Sequence, residues 1–205
     1  MVAIVDYGMG NLTSVVNAFR ALACNVIVAR QPSELLEASH IVLPGVGAFG
    51  DGMRNLKKAG WVDALGSEVI RKGKPFLGIC LGMQLLSTTG TESGTLDGLN
   101  WVPGVVQRMR PSEPQLRIPH IGWNDVQCLR RDGLYGGLEE TETFYFVHSF
   151  VLCLNDASAT SGVCTHGTDF TASIEVDNIR ATQFHPEKSQ RAGLKVLENF
   201  SAMTG

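Results

Sequence analysis

The sequence lacks a run of apolar residues long enough to cross a membrane, an excess of either charge, paired cysteines and any internal repeat. Its longest apolar stretch, Phe144 to Leu154, is about half of the ~20 residues that a spanning helix needs, and it carries His148 and Ser149. The first residues, Met1-Val2-Ala3-Ile4-Val5-Asp6, have no basic segment ahead of the apolar one, so they do not read as a secretory leader. With 17 Lys+Arg against 20 Asp+Glu the formal net charge is −3, and no block of like charge stands out. That balance argues against nucleic acid or an anionic membrane surface as a partner. The five cysteines, Cys24, Cys80, Cys128, Cys153 and Cys164, are odd in number and form no C-x-x-C pair. Reduced thiols in a cytoplasmic setting are the simpler expectation. His40, His120, His148 and His166 show no metal-ligand spacing, so no metal or other cofactor is expected.

What is present fits one packed domain covering 1–205, since 44% of the residues are hydrophobic and only 18% charged. In the first half short apolar runs alternate with helical patterns. Val2 to Val5, Asn25 to Ala29, His40 to Leu43 and Pro75 to Ile79 read as buried strands. Between them lie helical segments near Leu12 to Ala23, Ser33 to Ala38, Asp51 to Ala59 and Trp61 to Lys72, the first with Asn11 as its N-cap. Such alternation predicts an α/β fold with a mainly parallel central sheet flanked by helices. After a Thr/Gly/Ser-rich stretch, Thr91 to Asp97, strand patterns follow one another: Val102 to Arg108, Val126 to Leu129, Thr143 to Leu154, Ala157 to Thr165, Thr171 to Val176 and Ile179 to Phe184. Turn-forming pairs at Asn155-Asp156 and Asp177-Asn178 predict hairpins, and so additional antiparallel strands in the second half. A last helix spans about Gln190 to Met203.

The sharpest local pattern is Gly78-Ile79-Cys80-Leu81-Gly82-Met83-Gln84, where an apolar strand runs straight into a helical segment. Glycines two before and two after a nucleophile allow a strained turn that backbone can approach closely. Helix N–H groups beyond the turn would favour a thiolate, and the Leu81 N–H could serve a developing oxyanion. Cys24, Cys128, Cys153 and Cys164 lack any such flanks and read as packing residues. A nucleophilic thiol needs a base, and that base needs an orienter. His185-Pro186-Glu187 supplies both at the end of the last strand, with Glu187 on the same side as His185 in an extended chain. A zinc-deaminase reading of H-x-E fails because no P-C-x-x-C follows. A thiol hydrolase with its acid upstream, or a scaffold without activity, is disfavoured by the adjacent Glu187 and the complete Cys80, His185, Glu187 set.

These motifs, with Asp6-Tyr7-Gly8-Met9-Gly10-Asn11, Pro44-Gly45-Val46-Gly47, Pro119-His120-Ile121-Gly122-Trp123-Asn124 and Tyr145-Phe146-Val147-His148-Ser149-Phe150, resemble the class I glutamine amidotransferase family. Within it, the ordered set is similar to the glutaminase subunits that serve a cyclase of histidine biosynthesis. The resemblance implies a Cys-His-Glu glutaminase acting on L-glutamine, with Cys80 as nucleophile, His185 as proton shuttle and Glu187 as orienter. It implies Val46, Gly47 and Leu81 as the oxyanion hole. Gln84, His148, Ser149 and Phe150 would hold the amino-acid end of glutamine, with Phe150 standing where the family more often has Tyr. It also implies a (β/α)8 cyclase subunit as heterodimer partner, making imidazole glycerol phosphate and an aminoimidazole carboxamide ribotide from the released ammonia. Tyr7, Asn11, Trp123, Tyr145 and Lys188 would face that subunit. A barrel of ~250 residues does not fit beside a glutaminase in 205, which agrees with an acceptor site on another chain. The competing expectation is a paralogue that feeds a related barrel in surface-sugar synthesis.

Overall fold

In the computed structural model, which describes residues 1–113 and 115–204, the sequence folds as a three-layered α/β unit. The first half runs β1 (Val2–Val5), α1 (Leu12–Ala21), β2 (Val26–Ala29), β3 (His40–Gly45), α2 (Phe49–Lys58), α3 (Trp61–Leu65), β4 (Phe76–Cys80) and α4 (Leu81–Gln84). The second half runs β5 (Thr89–Gly90), β6 (Leu96–Asp97), β7 (Gly104–Arg108), β8 (His120–Cys128), β9 (Thr141–His148), β10 (Phe150–Leu154), β11 (Thr160–Thr165), β12 (Asp169–Val176), β13 (Ile179–Thr182) and α5 (Gln190–Ser201). A nine-stranded sheet in the order β2-β1-β3-β4-β13-β12-β11-β8-β9 carries the molecule. Its pairs are parallel from β2 to β13 and antiparallel from β13 to β9.

Period-2 alternation makes this sheet a divider. Val2 and Ile4 of β1 join a core with Phe19 of α1 and Val196 and Phe200 of α5. Ala3 and Val5 of the same strand face the opposite core, with Met53 and Leu56 of α2, Trp61 of α3, and Val106 and Leu152 from a second sheet. That second sheet has four strands in the order β10-β7-β5-β6. Asn11 caps α1 as expected, its Oδ1 accepting from the Ser14 N–H at 3.4 Å. Among the described residues no helix is long and apolar enough to cross a membrane. All five cysteines are free thiols.

The structure corrects several expectations: the helix expected over Ser33 to Ala38 is a short 3₁₀ turn, Pro32–Leu35, and the strand expected from Ala157 starts only at Thr160, after a 3₁₀ turn over Ala157–Ala159. Thr143 to Leu154 is not one strand but two, β9 and β10, which part at Ser149 and enter different sheets. Asn155-Asp156 therefore joins β10 to β11, which do not pair, and only Asp177-Asn178 forms a hairpin, between β12 and β13. The helix expected over Trp61 to Lys72 is α-helical only to Leu65 and continues as a π-helical stretch, Gly66–Arg71.

At the carboxyl end of β4 the chain turns with Cys80 at φ 54°, ψ −107°, a left-handed conformation that a side chain rarely adopts. The glycines on either side have steric duties. A Cβ on Gly82 would lie 1.8 Å from the Leu43 carbonyl oxygen, and one on Gly78 would lie 2.8 Å from the Gly82 oxygen. Backbone therefore touches backbone across β3, β4 and α4, and neither contact can yield by a rotamer change. Gly82→Ala is expected to cost more than about 3 kcal/mol, whereas Gly66→Ala, with nothing within 4 Å and a helical φ of −58°, should be neutral or stabilising by about 0.5–1 kcal/mol. Urea unfolding of the two variants checks the contrast.

Candidate active site

Three neighbouring parallel strands end on one edge of the sheet, and each delivers a part of the site. In register, Gly45 of β3 lies beside Cys80 of β4, and Ile79 beside Thr182 of β13. The residues that follow β3 are Val46 and Gly47; those that follow β13 are Gln183, Phe184 and His185. The carboxyl edge of a parallel sheet is where open α/β folds gather their ligands.

His185 has extended geometry, φ −98°, ψ 95°, as the residue before a proline should. Pro186–Lys188 then form a single 3₁₀ turn, so Glu187 comes beside His185 through a turn and not through an extended chain as the sequence predicted. The His185 Nδ1 lies 2.8 Å from Glu187 Oε1 and both side chains are almost wholly buried. With a carboxylate accepting at Nδ1, the other ring nitrogen, Nε2, is the one left to exchange a proton. Burial opposes a charged ring here, but Cys80 and Glu187 outweigh it and raise the His185 pKa from 6.5 to about 10. The His185 ring is thus held as imidazolium beside the Cys80 sulfur. Ser189 anchors the turn, donating to the His185 carbonyl at 2.7 Å and accepting from the Tyr145 N–H at 3.0 Å. The His185 N–H in turn donates to the Tyr145 carbonyl at 2.9 Å, so β9, the far edge of the sheet, curls back over the site.

Cys80 opens onto a cleft of about 440 Å³ whose wall includes Val46, Gly47, Leu81, Gln84, His148, Ser149 and Phe150, every residue expected for the oxyanion hole and glutamine subsite. The helix behind the elbow, α4, is only four residues long, so a first turn of free N–H groups, and not a long helix dipole, faces Cys80. Burial pushes the Cys128 and Cys164 thiols up to about 12, in keeping with inert packing thiols.

Two expected ligands of substrate have their polar atoms largely engaged within the protein. His148 Nδ1–H donates to the Phe150 carbonyl at 3.0 Å, which makes its Nε2 an acceptor for the Nδ1–H of His120, also at 3.0 Å. Asn124 Nδ2 lies 3.2 Å from the remaining His120 nitrogen. Burial lowers His120 to about 4 and His148 to about 3, so this chain of rings is neutral and braces the bend at Ser149. Gln84 Nε2 donates to both the Phe150 carbonyl and Gln183 Oε1, each at 3.0 Å, leaving only its own oxygen for a ligand. The cleft also contains Glu92 and Arg108, which the sequence did not single out: Glu92 lies in the Thr/Gly/Ser-rich stretch and Arg108 only ends a strand pattern, with no motif around either.

Of the residues expected at a partner surface, Trp123, Tyr145 and Lys188 come together. Trp123 and Tyr145 pair across β8 and β9 with ring centroids 5.8 Å apart, and Lys188 Nζ stands 5.6 Å over the Tyr145 ring. Trp123 and its neighbour Ile121 are well exposed, at 48% and 61%. Asn11 is exposed as well as capping α1. Tyr7 departs from this group: it is buried, with its hydroxyl packed where a Cβ on Gly45 would be and close enough to Cys80 for that thiol's charge to raise it further. Tyr7 therefore belongs to the wall behind the elbow and not to an exposed surface.

A thiol at a strained elbow and opening onto an amino-acid-sized cleft, an imidazole whose charge that thiol sustains, and a carboxylate 2.8 Å from the imidazole define a cysteine amidohydrolase-type site. The chain belongs to the class I glutamine amidotransferase family, whose profile, glutamine amidotransferase class-I, matches residues 3–203. It is 49% identical over 206 residues to the imidazole glycerol phosphate synthase subunit HisH of Geobacter sulfurreducens, covering 98% of each chain. It is 47% identical to the same subunit of Geobacter metallireducens over 98% of this chain and 97% of that one. Among solved structures, a glutamine amidotransferase superposes with a TM-score of 0.73 at 18% identity, covering 98% of this chain and 100% of that chain. PurLQS from Thermotoga maritima gives 0.72 at 19%, covering 98% and 96%.

The charged state of His185 has a sign that can be tested. A folded-state pKa above the unfolded value contributes stability that is complete below about pH 6.5 and is lost as pH rises through about 10. The His185 ring should therefore remain doubly protonated at pH 8 by ¹⁵N NMR and become neutral there in Glu187→Gln. On the acid side, His120 and His148 must charge in the unfolded chain first, so stability should fall as pH drops from about 6.5 through about 4 and on to about 3. Thermal unfolding midpoints across pH read this second effect.

Proposed function

We propose that the chain, as one domain over 1–205, is the glutaminase subunit of an imidazole glycerol phosphate synthase, acting in the cytoplasm as half of a heterodimer with a (β/α)8 cyclase. The observation that carries the chemistry is the buried set Cys80, His185 and Glu187, with its 2.8 Å His–Glu contact, of which Cys80 opens onto the cleft. The close similarity to HisH subunits supports the choice of partner.

The reaction follows from the site. The Cys80 sulfur attacks the side-chain carboxamide carbon of glutamine; a C–S bond forms and the carbonyl electrons move onto oxygen. Backbone N–H groups of Leu81 and of Val46 or Gly47 receive that oxyanion, where donors aimed at developing charge contribute about 2.7–4 kcal/mol each. As the tetrahedral adduct collapses, His185 Nε2 gives its proton to the leaving nitrogen and ammonia departs, leaving a γ-glutamyl thioester and a neutral imidazole. His185 then takes a proton from water, the resulting hydroxide attacks the thioester carbon, and glutamate leaves as Cys80 and His185 return to thiolate and imidazolium. Glu187 moves no proton; it fixes the ring and stabilises its charge. Free glutamine carries an ammonium and a carboxylate, and a cleft with Glu92, Arg108 and the free oxygen of Gln84 offers one group of each sign and an acceptor.

The Trp123–Tyr145–Lys188 face is the surface we assign to the cyclase, since aromatic and cationic anchors of this kind dominate protein interfaces. Its position supports coupling between the two subunits: the Tyr145 carbonyl holds the His185 N–H, and Lys188 is in the same turn as Glu187. Pressure on this face bears directly on the base.

Cys80→Ala should lower glutamate release by about 1000-fold or more while ammonia-dependent synthesis by the cyclase persists. His185→Ala should cost more than Glu187→Gln; equal losses would remove Glu187 from its orienting role. Glutaminase turnover should rise when the cyclase and its ribonucleotide substrate are added. Absence of that stimulation would favour a paralogue serving another barrel synthase.

A further inference from the structure

Gln183 is completely buried between β13 and His185 and takes no part in the reaction as described above. We infer that Gln183 is a further catalytic residue, whose side-chain amide donates a hydrogen bond to the Cys80 sulfur, and that Gln84 is the positioning residue that keeps this amide turned the right way. The inference deepens the glutaminase reading and rests on it.

The argument starts from a group whose polarity is not in question. The Phe150 carbonyl oxygen can only accept, so the nitrogen of the Gln84 amide must face it, at 3.0 Å. That same nitrogen lies 3.0 Å from the Gln183 side chain, which must then present its oxygen. The Gln183 nitrogen is left pointing at Cys80 Sγ, at 3.6 Å, within the range of an N–H···S contact. Rotating the Gln183 amide by half a turn would set two NH₂ groups against each other and an amide oxygen against the sulfur. A backbone carbonyl in β10 thus dictates, through two glutamines, that the sulfur sees a donor.

A donor matters most for the anion. The Val147 carbonyl, 4.0 Å from Cys80 Sγ, can accept from a thiol but offers nothing to a thiolate. In the resting pair of Cys80 thiolate and His185 imidazolium, the Gln183 amide is the neutral group that favours the charge on sulfur. Buried from solvent, it does so without competition from water. The other titratable groups around the sulfur are His185 with Glu187 behind it, and the Tyr7 hydroxyl from the loop after β1; His148 lies farther along the cleft wall. His185 offsets the charge by its own, and Gln183 adds direction. Gln84 also lines the cleft, so the residue that touches glutamine is the one that aligns the donor to the nucleophile.

Alkylation of Cys80 by iodoacetamide across pH, read by mass spectrometry on the full chain, follows the thiolate without any turnover of glutamine. Gln183→Met keeps the length of the side chain but cannot donate. It should displace the alkylation profile to higher pH by about one pH unit and lower kcat about tenfold or more, with KM within about threefold. Gln84→Met should displace the profile in the same direction by a smaller amount. A Gln183→Met profile that coincides with the wild type overturns the inference even where activity falls, because the residue is then structural only. Should Gln183→Met fail to fold, the side-chain ¹⁵N resonance of Gln183 in the wild-type chain decides: it should move as Cys80 ionises and stay fixed over the same range in Cys80→Ala. A resonance indifferent to pH in the wild type overturns the proposal. Failure of the glutaminase reading is a separate result, in which the wild-type chain releases no glutamate with the cyclase present while alkylation still reports on Gln183.

Discussion

The contact on which this structure turns is the one between the Gly82 backbone and the Leu43 carbonyl, where α4 lies against β3 with no room for even one side-chain carbon. Because that approach is fixed, the chain leaving β4 must reverse within a single residue, and the residue that takes the strain is Cys80 at positive φ. A sulfur held this way cannot retreat into the core like the thiols of Cys128 and Cys164. It stands at the carboxyl edge of the sheet, with the strand ends of β3 and β13 on either side to deliver Val46, Gly47 and His185. The strain of order 1–3 kcal/mol that such a conformation carries is offset by the two cores on either face of the sheet, whose alternating residues leave the elbow no alternative position.

Around this fixed point the site is a set of hydrogen bonds whose polarity is decided by backbone groups. The Phe150 carbonyl fixes Gln84 and also the tautomer of His148; the Tyr145 carbonyl and Ser189 fix the turn that carries Glu187. Much of what is buried near Cys80 is therefore framework. It holds the bend at Ser149, where the chain passes from the large sheet to the small one and where the cleft has its wall. Strand β9 belongs to this framework on one side and carries Trp123's partner Tyr145 on the other, so the exposed aromatic face and the catalytic base share a single strand.

The local features of the fold were legible in the sequence because their causes are local. Strand-helix alternation, the Asn11 cap, the glycine pair at the elbow and the His185-Pro186-Glu187 unit each depend on residues within a few positions of one another. Features set by distant partners were not. Phe144 to Leu154 is continuously apolar apart from His148 and Ser149, and nothing in that run says that its two halves pair with β8 and β7 in different sheets. Asn155-Asp156 has hairpin chemistry, yet β10 finds its neighbour far upstream in β7. Tyr7 has the amphipathic character of an interface residue, and only the closeness of Gly45 shows that it fills the wall behind the nucleophile. For Gln84 and His148 the residue type was informative but the role was not, because a role depends on which hydrogen-bonding atoms remain free after folding; Gln183, within a strand pattern, carried no signal of its own.

The central claim is that Cys80, alone among five free thiols, becomes covalently joined to the side chain of glutamine. The most direct measurement is mass spectrometry of the chain quenched in acid during turnover with glutamine, followed by peptide mapping. The account predicts a γ-glutamyl adduct confined to the peptide containing Cys80 and more abundant when the cyclase and its ligand accelerate turnover. An adduct on Cys24, Cys128, Cys153 or Cys164, or undiminished glutamate release by Cys80→Ala, would contradict it.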